Sequence, residues 1–252
     1  MKASWKTRLL AMLAMVAGVP AMATTWSSLT VEDPIRPGAT CEVSEPASYG
    51  SYVYQWPSKY DQVFWPQIDE TGIWFCAKSG FAALIGDFET LTESERMRVG
   101  VHLAKVYDPA LHLGPAQKLA LLEGIYGMRE MDAKKQIQLQ RVLAVHYERD
   151  GDYTRATTLR RQALGLIRQE LAQGMLDTQR RLEYLFVAAN YEREFGKAAQ
   201  ADADLSALSR ALDAVKSEEP TVVDYAAYLR ELVPASRRIL PGGQLAPAES
   251  EP

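Results

Sequence analysis

From Thr92 onward the apolar positions of this chain recur at helical spacing, whereas before residue 90 they come in short alternations that prolines keep interrupting. Thr92 followed by Glu95 has the spacing of a capping box, and Met97, Val101, Ala104 and Val106 carry a helix as far as the stop at Pro109. Pro115 suits the first position of a second helix, continued by Leu119, Leu122, Glu123 and Tyr126. Between Arg180 and Phe195 one stripe, Leu182, Leu185, Phe186 and Ala189, runs beside another, Tyr184, Ala188, Tyr191 and Phe195. A helix apolar over so wide an arc needs neighbours on two sides. Val222, Tyr225, Ala226, Leu229 and Leu232 predict a last amphipathic helix that ends before Pro234. In the N-terminal part, Tyr52, Tyr54 and Trp56 alternate with Val53 and Gln55 as a strand would, among Pro34, Pro37, Pro46, Pro57 and Pro66.

Two of the helical stretches are copies of one another. Leu139–Ile167 contains Leu143, Ala144, Tyr147, Gly151, Tyr153, Ala156 and Ala163, and Arg180–Leu212 contains Leu185, Ala188, Tyr191, Gly196, Ala198 and Ala201. The order of small, aromatic, turn-glycine and small residues resembles that of tetratricopeptide helix pairs, the second copy being degenerate by one residue at its turn. The expected fold is mainly α: a tetratricopeptide-like stack over 91–238, preceded by a small aromatic-rich loop and strand module over 24–90. From residue 239 to 252 the chain is rich in Pro, Gly, Ala and Glu, a composition expected of a flexible tail.

The first 23 residues stand apart from both. Lys2, Lys6 and Arg8 precede an apolar run from Leu9 to Val19, and Ala21-Met22-Ala23 closes it with a small-x-small cleavage site. These are the three regions of a secretory signal peptide, and the run is short for a membrane span. The expected location is therefore periplasmic or secreted, with no stable membrane insertion after cleavage. Without the leader, 25 basic residues face 32 acidic ones, a net charge of −7. With no Lys/Arg cluster either, a nucleic-acid partner is excluded as an expectation.

Cys41 and Cys76 are the whole cysteine content. In an oxidising compartment a bridge between them is favoured over two buried free thiols. Each cysteine opens a knuckle-like stretch, Cys41-x-x-Ser44 and Cys76-x-x-Ser79 followed by Gly80, in which serine stands where a second thiol would be needed. Neutral hydroxyls are poor zinc ligands, so neither a metal nor any other cofactor is expected. With Phe64, Trp65, Pro66, Asp69 and the run from Gly72 to Phe88, this region resembles a bacterial family of unknown function in which a paired-cysteine, zinc-ribbon-like segment precedes tetratricopeptide-like helices. The resemblance implies architecture, and departs from the family pattern at Ser44 and Ser79.

Nothing in the chain has the form of a catalytic motif. His146 falls on an apolar helical face and reads as a packed core residue; His102 and His112 have no metal-spaced partner. The arginine pairs Arg160-Arg161 and Arg180-Arg181 read as solvated helix faces, with a groove for an acidic peptide as the functional alternative. Trp65, Asp69 and Trp74 are the candidate binding surface, set against the reading that the aromatic residues only build the core of a small module. The expected function is binding or scaffolding of another envelope protein or peptide, without enzymatic activity. The alternative is a cell-wall glycan-binding or hydrolytic protein that uses the aromatic N-terminal module.

Overall fold

The computed structural model describes residues 25–48, 54–56 and 58–247, so residues 1–23, expected as a signal peptide, lie outside the described residues. Two antiparallel strands come first, β1 (Thr25–Glu32) and β2 (Thr40–Ser48), in a register that sets Val31 opposite Cys41 and Leu29 opposite Val43. Alternation along the pair buries Val31, Cys41 and Val43 and leaves Thr30 and Glu42 in solvent. Asp33 shapes the connection by accepting hydrogen bonds from the backbone N–H groups of Ile35 and Arg36 at its Oδ1. A one-turn helix, α1 (Ser58–Asp61), and a 3-10 turn, Glu70–Gly72, lead to a short hairpin of β3 (Ile73–Phe75) and β4 (Ala82–Leu84). Of the strand expected around residues 52–56, Tyr52 and Val53 lie outside the described residues. Tyr54 to Trp56 are not in a strand.

A disulfide joins Cys41 in β2 to Cys76 at the end of β3, with the two Cα atoms 5.1 Å apart. The turn after Cys76 closes through hydrogen bonds from Cys76 N–H to the Phe81 carbonyl and from Gly80 N–H to the Cys76 carbonyl. Gly80 has φ +79°, and a Cβ there would stand 2.3 Å from the Tyr107 ring, so the position requires glycine twice over. Ser79 accepts a hydrogen bond from Phe81 N–H at 3.1 Å. The serine at the second-thiol position thus helps to hold the turn.

Seven further helices follow: α2 (Glu93–Val106), α3 (Pro115–Tyr126), α4 (Ala133–Arg149), α5 (Tyr153–Gln173), α6 (Thr178–Glu194), α7 (Ala198–Asp213) and α8 (Pro220–Ser236). Helix α2 starts on the capping box of Thr92 and Glu95, and α3 has Pro115 in its first turn. Asp132, Asp152 and Asp177 cap α4, α5 and α6 by accepting from the N–H three residues on. The α4/α5 and α6/α7 hairpins are the two related copies, and they turn through Gly151 (φ +87°) and Gly196 (φ +75°). Ala156 and Ala188, the small positions of the copies, are buried.

Helix α8 runs through Pro234 to Ser236 instead of stopping before it. The proline sits in the last turn, so the one intrahelical hydrogen bond that its missing N–H forgoes lies at the end of the helix. The segment expected as a free tail from residue 239 instead folds back as far as it is described. Ile239 is buried and bridges Leu245, and Gly242 N–H donates to the Glu194 carbonyl on α6.

Candidate functional site

The groove between α4 and α6, the first helices of the two hairpins, is already filled by the chain's own segment around α1. Tyr60 and Asp61 are buried there, 2% and 0% exposed. Both Asp61 carboxylate oxygens accept from Arg160 of α5, at 3.0 and 2.6 Å, and Tyr191 of α6 donates to the same carboxylate at 2.6 Å. Arg141 of α4 donates to the Asp61 and Gln62 carbonyls at 2.6 and 2.7 Å. Asn190 donates to the Tyr60 carbonyl at 3.1 Å, while the Tyr60 hydroxyl donates to Glu194 at 2.5 Å. The segment is bound through main chain and side chain alike.

Gln62 adopts φ +51°, an uncommon conformation for a residue with a Cβ. Arg141 holds its carbonyl, and Tyr225 of α8 donates to its side-chain oxygen at 2.9 Å. Those two contacts fix the turn by which the chain leaves the groove.

Burial opposes the charge on Arg160, but the Asp61 carboxylate more than offsets it and keeps the guanidinium protonated beyond its ordinary range. Arg141 is held in the same way against its own burial by Glu183, 2.6 Å away. Burial pushes the Glu194 carboxyl up, against the pull of Arg160. It also pushes the Tyr60 and Tyr191 phenols well above the ordinary tyrosine value. Both carboxylate oxygens of Asp61 and its carbonyl are taken up within this network. Its chemistry is that of a clamp.

Beside the clamped segment a cleft of about 320 Å³ stays open. Phe64, Trp65 and Gln67 form its floor; Lys134 and Gln138 come from α4, Gln179, Arg180 and Glu183 from α6, and Tyr225 from α8. Gln138 donates to the Gln67 side chain at 3.1 Å. The Trp65 ring lies 5.4 Å from that of Trp26 on β1. Aromatic faces, side-chain amides and charges of both signs therefore border one opening.

Of the residues singled out in the sequence as a binding surface, Trp65 lines this cleft. Trp74 does not: its indole N–H donates to the Ser44 carbonyl at 2.7 Å and its ring meets Phe88 edge-on. Asp69 caps the 3-10 turn by accepting from Thr71 N–H. Among the described residues, the one group of three side chains able to hold a metal is Asp33, Cys41 and Cys76, with ligand atoms within 4.8 Å of one another. The disulfide occupies both sulfurs.

Arg160 does not lie on a solvated face, as its sequence neighbours suggested; it is 4% exposed at the centre of the clamp. Arg161, by contrast, is exposed and stacks on Phe195. The signal was available: Arg160 is four residues after Ala156 and three before Ala163, within the apolar stripe of its helix, and Arg141 is likewise four after Ile137 and four before Val145. A charge inside an apolar stripe calls for a buried partner. Asp61 itself lies in a helix of a single turn, too short for periodicity to mark it. His146 is buried, with Nε2 against the Gln67 carbonyl at 2.8 Å, and burial holds its pKa below the ordinary histidine value.

No helix among the described residues is long and apolar enough to cross a membrane. Comparison with known protein families, with curated proteins and with solved structures finds no match to this chain.

Proposed function

We propose that this chain is an exported binding or scaffolding protein of the bacterial cell envelope, whose partner is another envelope protein or peptide. The observation that carries the reading is the open cleft beside the clamped segment, whose lining Trp65 shares with residues of α4 and α6, the first helices of the two hairpins. The partner's chain would lie next to this protein's own Phe64–Gln67, not in the groove core that Asp61 occupies. The disulfide between Cys41 and Cys76 and the leader-like residues 1–23 support an oxidising compartment.

An affinity pull-down from envelope extract with the mature protein, repeated with Trp65→Ala and Arg180→Glu, tests the reading. A specific protein recovered by the parent and lost with both variants supports it. No specific partner, or one retained equally by the variants, counts against it.

A second reading, a cell-wall glycan ligand, is favoured by the side-chain amides of Gln67, Gln138 and Gln179 beside the Trp65 and Phe64 rings, since aromatic faces and amides suit sugar rings. A panel of cell-wall fragments should then shift tryptophan fluorescence or raise the melting temperature. If neither changes, the glycan reading falls and the protein-binding one stands alone. No reaction is assigned in either case.

A further inference from the structure

A second cleft, away from the clamp, opens where the N-terminal module meets α3 and the end of α4, and has a volume of about 140 Å³. An engineered apolar cavity of about 150 Å³ accepts benzene, so this space suits a side chain of that size. The apolar part of its lining is Ile73 and Phe75 of β3, Pro115 and the buried Leu119 of α3. His146 also lines it and is tied to Gln67.

Four charged side chains line the same opening, two of each sign. Lys118 comes from α3 and Arg149 from α4; Glu70 comes from the 3-10 turn and Asp150 from the residue that ends α4. Lys118 lies over the Phe75 ring at 5.2 Å, and Arg149 donates to the Ile68 carbonyl. None of the four forms an ion pair with another described residue. A ligand bearing only negative charge would meet Glu70 and Asp150, and one bearing only positive charge would meet Lys118 and Arg149. A ligand with one charge of each sign at one end and a compact apolar body at the other is matched by both the rim and the floor.

We infer that this cleft binds a small apolar amino acid as its free zwitterion, the side chain against Ile73, Phe75 and Leu119, the carboxylate toward Lys118 and Arg149, and the ammonium toward Glu70 and Asp150. The site is separate from the Trp65 cleft, and the two can be tested independently.

The test uses isothermal titration of the mature, disulfide-bonded protein with three probes: L-leucine, 4-methylpentanoate, which lacks the ammonium, and 3-methylbutylamine, which lacks the carboxylate. L-leucine is expected to bind, and each singly charged analogue to bind at least about tenfold more weakly, the usual size of a lost charge-assisted contact. In Lys118→Met the advantage of L-leucine over the amine should shrink, and in Asp150→Asn its advantage over the acid should shrink. Both positions reach solvent, and a thermal melt of each variant verifies the fold. Absence of binding by L-leucine at millimolar concentration overturns the inference. So does equal binding of the three probes, or discrimination left unchanged by both substitutions.

Discussion

At the scale of single residues, the clamp around Asp61 is where the largest effects are expected. A buried ion pair costs several kcal/mol of desolvation for each partner, which its own attraction and hydrogen bonds must offset. Asp61 has Arg160 and Tyr191 as side-chain partners, and Arg160 reaches Glu148 and Glu194 as well. Replacing Asp61 by Asn removes one charge and leaves the other buried, so chemical denaturation should show a loss of about 3–5 kcal/mol. Arg161→Gln, one residue from Arg160 but on the solvent side, should change stability by less than about 1 kcal/mol. Equal effects at Asp61 and Arg161 would mean that the segment is not clamped.

The buried phenols make a second residue-scale expectation, this one about pH. Burial raises Tyr60, Tyr191 and Tyr225 well above the ordinary value of 10.0, and Tyr184 to about 12. As pH rises past that ordinary value, the unfolded chain gives up phenolic protons that the folded chain retains. The unfolded state then binds fewer protons, and stability falls. Alkaline titration followed by phenolate absorbance should show one group of tyrosines ionising normally and another appearing only as the helical circular dichroism is lost. A single early titration of all tyrosines with the fold intact would contradict the burial.

At the scale of elements, the two hairpins owe their close approach to small residues. Ala156 is 1% exposed on the inner face of α5. Ala156→Leu should overpack the α4/α5 pair and cost about 1–3 kcal/mol, while Gln173→Leu, exposed in the last turn of the same helix, should be mild in the same thermal melt. The N-terminal module is held by a different device. Its two sheets have only two strands each, and the bridge between Cys41 and Cys76 closes a separation of 35 residues, worth roughly 4 kcal/mol in the chain-entropy picture.

For the whole molecule, the N-terminal module and the helices are joined through one core. Cys76, Phe81 and Phe88 of the module pack in the same apolar cluster as Leu122, Ile125 and Leu143. The Tyr126 hydroxyl links the two parts again, accepting from Leu84 N–H and donating to Asp87. The cellular prediction belongs to this scale. Protein isolated from its native host should begin at Thr24 and be found outside the cytoplasm, as N-terminal sequencing of fractionated cells would establish. Intact Met1 in a cytoplasmic fraction would remove the basis for an envelope role.

What the amino-acid order determined by itself is local. The capping box at Thr92, the proline that opens α3, the paired hairpins with their turn glycines and the mainly helical class follow from spacing and from the conformations that glycine and proline allow. The pairing of Cys41 with Cys76 followed from their number and an expected compartment. Tertiary structure alone decided which face of the hairpins is occupied, and by what. Asp61 is 99 residues from Arg160, and the stretch that carries it has no period to reveal its position. The same holds at the chain's other end, where the Pro- and Gly-rich residues 239–247 look too poor in large apolar side chains to order but dock because Glu194 offers a carbonyl and Ile239 finds a buried site. Periodicity reports the buried side of α6, but not of α2, where Met97, Val101 and Val106 are exposed and Val99 and Leu103 are buried; which distant segment covers a face depends on shape and on unsatisfied charge, and these exist only once the helices have packed.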